Sequence, residues 1–156
     1  MIEITKKSSE IMINNSSKKQ VIFNTSTLWV NVDWYDIDCS GEYEKSSILL
    51  EVKEYNQILF YNFLIDSKRV IIITHDDFEL TEEILSFFWD VDVLIIIWTK
   101  NAIKIFEKIE AKLVIPYWEW KDLFLNTLWQ NIDEVESYKV KTDFLLNTTE
   151  FVNLKD

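Results

Sequence analysis

The chain's 156 residues, 48% of them hydrophobic and 15% aromatic, suffice for the core of one globular domain. No apolar run approaches the roughly 20 residues of a membrane-spanning helix, which argues against residence in a bilayer. The formal charge of −11 is unevenly placed: residues 33–44 hold five acids and residues 76–92 seven, and neither window holds a base. Such a field repels nucleic acid and anionic membranes and draws in a cationic partner.

The first nineteen residues alternate apolar and polar side chains and lack the basic-then-apolar layout of a secretion signal; with Cys39 the lone cysteine, a reducing cytoplasmic setting is expected. "EIMIN" (10–14) and "KKQVIFNT" (18–25) read as a hairpin, and "LWVNVDW" (28–34) places Leu28, Val30, Val32 and Trp34 on one face. These strands are expected to be antiparallel and to extend the main sheet. Residues 47–66 read either as one helix capped by Ser47 or as a strand through Lys53 followed by a helix. "RVIIIT" (69–74) is a β-branched run suited to a strand buried on both faces. After it, Thr81 can cap a short helix with Glu82 and Glu83 in its first turn and Ile84, Leu85, Phe87 and Phe88 on its apolar face.

"DVLIIIW" (92–98) predicts the next strand, and 101–111 a helix burying Ala102, Ile105, Phe106 and Ile109. "KLVIP" (112–116) predicts a third strand, stopped by the only proline, and 119–130 a helix with Trp120, Leu123, Phe124 and Leu128 inward and Trp129 on the opposite side. Residues 137–154 are compatible with further strands. The expected architecture is therefore a single α/β domain over residues 1–156, with a mixed sheet whose N-terminal strands are antiparallel and whose C-terminal half is parallel βαβαβ.

The chemistry available is narrow. One histidine, His75, and one cysteine cannot close a structural zinc site, and a nucleophilic triad has its parts in number only. With Gly41 the only glycine, no phosphate-cradling glycine loop exists. "ILLEVK" (48–53), an apolar run followed by Glu-x-Lys, together with Asp33 in the preceding "VNVDW", resembles the core strand of the restriction-endonuclease-like PD-(D/E)XK nucleases. The resemblance covers about residues 28–74. It implies Asp33 and Glu51 as ligands of Mg2+, Lys53 as the cation that positions or activates water, and a helix then a strand across 55–74. Against that stands the charge, because a nuclease must gather a polyanion and this chain has a single arginine, Arg69.

The acidic windows also carry aromatics, and protein interfaces draw most of their energy from a few aromatic or arginine anchors while the surrounding charge sets approach and partner choice. Asp36, Asp38, Glu42 and Glu44 in the first window, and His75, Asp76, Asp77 and Glu79 after the strand 69–74, are the candidate partner-binding residues. Trp129 is a candidate exposed anchor. The function expected is an acidic, non-enzymatic inhibitor without cofactor or direct nucleic-acid contact. It is similar in general character to bacterial toxin immunity proteins, the partner being a basic, nuclease-type toxin domain. The alternatives are a magnesium-dependent nuclease and a nucleic-acid mimic whose carboxylates imitate phosphates.

Overall fold

The computed structural model describes residues 1–118, 121, 125, 132–143 and 148–156. Alternation of apolar and polar residues from the N-terminus builds an antiparallel meander of β1 (Glu3–Lys7), β2 (Glu10–Asn14), β3 (Gln20–Asn24), β4 (Val30–Val32) and β5 (Tyr35–Ile37), with β13 (Ser137–Lys139) beside β1. Ile4, Ile11, Ile13, Val21, Phe23, Val30, Val32 and Ile37 are buried together. Their intervening neighbours are polar or half-buried, so this sheet needs cover on one face only.

That cover is a second sheet of seven strands. Its antiparallel half comprises β6 (Gly41–Lys45), β7 (Ile48–Tyr55), β8 (Ile58–Ile65) and β9 (Lys68–Ile73). β10 (Val93–Ile97) pairs in parallel with both β9 and β11 (Leu113–Tyr117), and β14 (Glu150–Phe151) is parallel to β11. Leu50, Val52, Phe63, Val70, Ile72, Val93, Ile95 and Ile115 pack onto the first sheet's apolar face in one core. On the outer face α1 (Glu82–Phe87) and α2 (Ala102–Ile109) cover Phe60, Ile71, Ile73, Leu94 and Ile96. Burial on both faces explains the unbroken apolar runs of β9 and β10. As expected, Thr81 caps α1, its hydroxyl accepting from the Ile84 N–H at 3.3 Å.

Several expectations are corrected. The N-terminal strands do not extend the mixed sheet; they form their own sheet and lie face to face with it, because their one-sided apolar pattern fits the inner layer of a sandwich. The intervening helices span only six and eight residues, so the domain is predominantly β with helices on one outer face rather than a layered α/β domain. Residues 47–66 are the β7–β8 hairpin and contain no helix. Pro116 lies inside β11 opposite Ile96. Val114, two residues earlier, directs its carbonyl to Val152 of the β14 side, and the pairing with β14 ends at Val114, so the missing N–H of Pro116 leaves no ladder bond unmade.

Four hairpins turn on two residues at positive φ: Asp33–Trp34, Ser46–Ser47, Asn56–Gln57 and Asp66–Ser67. This is the I′ pattern, whose twist matches the strands it joins, achieved here without glycine. At the N-terminal end of the parallel strands, buried Asp92 accepts from the Arg69 N–H and the Lys112 ammonium, each at 2.8 Å, tying together the starts of β9, β10 and β11. That hydrogen bond raises the Lys112 pKa against the opposing effect of burial. Further along, β12 (Glu134–Val135) pairs in parallel with β15 (Asn153–Leu154). Among the described residues no helix is long and apolar enough to cross a membrane. Most of the expected helix 119–130, including Trp129, lies outside the described residues.

Candidate functional site

The first acidic window forms one flank of the molecule. β5 is the edge of the N-terminal sheet and β6 the edge of the mixed sheet, joined by residues 38–40. The Tyr35 and Tyr43 rings meet at 6.4 Å across the gap, Lys45 lies 5.9 Å from the Tyr35 ring, and Ser46 of the β6–β7 turn donates to the Asp33 carboxylate of the β4–β5 turn. Asp36, Asp38, Glu42 and Glu44 are all exposed on this flank. Asp36 accepts from the Asn31 amide at 2.8 Å. The Tyr43 hydroxyl donates to the Cys39 carbonyl at 2.8 Å, and its pKa is pushed up to about 12, first by its side-chain hydrogen bond with Cys39 and then by burial.

Trp34 crowns the flank at 86% exposure with φ of 73°. A bulky residue in the left-handed region costs on the order of 1–3 kcal/mol, and exposure returns nothing from burial. Of the four residues expected on one face, Trp34 departs from Leu28, Val30 and Val32 and is exposed, because Val32 ends β4 and Trp34 belongs to the turn. The signal was available: Val30 and Val32 face inward at even spacing, whereas the next buried residue, Ile37, lies an odd five positions on, which requires an intervening turn.

The outer face of β6–β8, beside the C-terminal end of α1, continues this flank. There Glu42 and Glu51 stand directly opposite one another, as do Glu44 and Leu49, with Asn62 next to Glu51 on β8. Glu42, Leu49, Glu51, Asn62, Leu64 and Arg69 line a shallow groove of about 280 Å³. Glu51 is 3.4 Å from the Lys53 ammonium, and Asn62 donates to the Phe87 carbonyl at 3.1 Å. Arg69 stacks over the exposed ring of Trp89 at 4.1 Å, marking the far rim. Like charges in direct register destabilise a sheet, and no described side chain pairs with Glu42. Leu49, 42% exposed, gives this acidic face an apolar centre.

The second window is divided. Asp92 and Asp90 engage Lys112, and Glu82 and Glu83 occupy the first turn of α1. His75, Asp76, Asp77 and Glu79 follow the C-terminal end of β9, where Thr74 Oγ1 is 2.7 Å from His75 Nδ1 and Thr99 donates to Asp76. Asp77 and Glu79 share a groove with Lys104 and Lys108 of α2, so the charge at this loop is mixed. This loop lies beyond the C-terminal end of β9, whereas Arg69 and Trp89 mark its N-terminal end. The trio Asp33, Glu51 and Lys53 is not brought together either: Asp33 is held at the β6–β7 turn, and Glu51 lies five residues along β7 from Ser46, about 16 Å at strand rise.

No sequence-family profile matches the chain, and neither does any curated protein. Among solved structures it is similar to a Thermotoga maritima protein described as a candidate Zn-dependent hydrolase of the metallo-beta-lactamase superfamily, with a TM-score of 0.77 over 99% of each chain and 15% identity. At that identity the likeness concerns the fold alone. Zinc requires three or four nitrogen, sulfur or carboxylate donors converging on one point. This chain's one histidine and one cysteine lie on separate elements, and among the described residues no three potential donors gather to hold a metal. Among the described residues the side chains do not fit a zinc ion.

Proposed function

We propose that this protein is a non-enzymatic inhibitor that binds a basic protein partner with the β5–β6 flank and the adjoining outer face of β7. In a bacterial setting it acts as an immunity protein, neutralising a nuclease-type toxin by occlusion. The observation that carries this reading is the direct register of Glu42 and Glu51 at the edge of the mixed sheet, where Glu42 is exposed. Lys53 already offsets part of the repulsion at Glu51, whereas Glu42 has no partner among the described residues, so a lysine or arginine of a partner entering beside Glu42 relieves what remains. Exposed Trp34, Leu49 and Trp89 supply the apolar area around which such a contact closes.

The test is co-expression and titration. A basic toxin domain encoded beside this chain's gene is expected to lose its activity at one equivalent of the protein, with salt slowing association far more than it speeds release. Magnesium-dependent cleavage of DNA or RNA by the chain alone, abolished in Lys53→Ala with the fold intact, would overturn the proposal in favour of a nuclease. Capture of several unrelated DNA-binding proteins, each released steeply by salt, would overturn it in favour of a nucleic-acid mimic.

A further inference from the structure

β6 ends the seven-stranded sheet, and among the described residues no backbone hydrogen bond reaches its outward side. Its pairing fixes which residues present that free edge. In the two-residue β6–β7 hairpin the flanking pair Lys45–Ile48 exchanges ladder hydrogen bonds, and bonded pairs alternate from there. Tyr43–Leu50 and Gly41–Val52 are therefore bonded, whereas Glu42 and Glu44 turn their N–H and C=O groups away from β7. The residues with free backbone groups are thus also the residues with free carboxylates. Gly41 opens the edge at φ +151°, a conformation side chains rarely adopt, where an added Cβ would meet the Tyr43 hydroxyl oxygen at 3.5 Å.

An incoming antiparallel strand would place one residue opposite Glu42 and one opposite Glu44, two positions apart and both on the outer face. A second copy of this chain pairing β6 to β6 would set glutamates against glutamates and is disfavoured by the same rule that makes the Glu42–Glu51 pair costly. Exposed edges are commonly protected by such charges against self-pairing. A strand bearing lysine or arginine at alternate positions meets no such barrier and neutralises both carboxylates.

Resting on the binding reading above, we infer that the basic partner docks an extended segment with cations at alternate positions as an eighth strand on β6. Main-chain hydrogen bonds to Glu42 and Glu44 supply the attachment and their carboxylates the selection. The partner's intervening residues face Tyr35 and Tyr43 in the gap between the two sheet edges.

The experiment uses a blocked peptide of about twelve residues alternating lysine and valine, a control of equal charge with its lysines in one block, and two N-methylated forms of the first. The alternating peptide is expected to bind and to slow amide exchange at Glu42 and Glu44. N-methylation of the residues facing β6 should weaken it at least about tenfold, and N-methylation of the intervening residues should leave it intact. Glu44→Pro, which removes only an edge-facing N–H, should have the same effect as the first methylation; the peptide arms answer the question even if that variant does not fold. Equal binding of the blocked-lysine control, or indifference to both methylation patterns, would overturn strand addition. If toxin inhibition persists in Glu44→Pro but is lost on reversing Glu42 and Glu44 to lysine, strand addition fails while the acidic face survives as the binding site. Self-association of the free chain that Glu44→Pro abolishes, without peptide binding, would assign the edge to a second copy and overturn the inference.

Discussion

Trp34 is the residue whose position is hardest to explain from folding alone. Its φ of 73° and its 86% exposure both oppose what a tryptophan contributes to a fold, and it stands on a turn already fixed by the Asp33–Ser46 hydrogen bond. Strain kept at an exposed aromatic is accounted for by a partner that buries it. Trp34→Gly is accordingly expected to raise the unfolding free energy by about 1 kcal/mol while weakening partner binding by tenfold or more, on the order of 1–2 kcal/mol. Urea unfolding and titration against the proposed basic partner check the two halves. A variant that unfolds more easily would assign Trp34 to the fold instead.

At the level of elements, the local patterns that were read correctly are those with a single strong cause: the β-branched runs of β9 and β10, the Thr81 cap, and the alternation in β2 to β4. In residues 47–66 the alternative of a strand through Lys53 agrees with β7, but the helix expected after it is the strand β8, because Ile58 to Ile65 is apolar at nearly every position, which a buried strand and a helix share, and because Asn56–Gln57 lacks the glycine that usually announces a two-residue turn. The separation into two sheets was not legible locally, since one-sided alternation is the same at the edge of a mixed sheet and in the inner layer of a sandwich. The acidic character of residues 33–44 was legible, but their union into one flank depended on the connection 38–40, which carries the chain from the edge of one sheet to the edge of the other. If the glycine-free turns limit the sheet, Gln57→Gly at φ 66° should stabilise the β7–β8 hairpin by about 0.5–1 kcal/mol, read as a shift in the urea midpoint with unchanged slope. No shift, or a loss, would mean that Gln57 contributes contacts that offset its backbone cost.

For the whole molecule, the buried tyrosines set an alkaline limit on stability. Burial raises the pKa of Tyr61 and Tyr117. Tyr138 is pushed up to about 12 by burial and its bond to Glu150, and Tyr43 to about 12 by Cys39. Each is raised in the fold above its ordinary value of 10.0, so its contribution is complete below that pH and is lost as pH climbs through the folded value. Lys112, also raised, acts in the same direction just above its own ordinary value of 10.5, while Lys6, lowered mainly by burial, opposes them. The unfolding free energy should therefore be level to about pH 10 and fall steadily toward pH 12. Tyr117→Phe should start lower, having lost a bond to the Ile73 carbonyl, yet fall less steeply. An alkaline limb unchanged by that substitution would contradict the assignment.

The claim that the β6–β7 face is held in readiness for a cationic partner rests on the Glu42–Glu51 register, and it is tested most directly by the urea unfolding free energy of Glu42→Gln beside the wild type at low salt. The variant should be the more stable by about 0.2–1 kcal/mol, and the difference should shrink as added salt screens the two carboxylates. A variant no more stable than the wild type, or less so, would show that Glu42 supports the fold itself and would contradict the account.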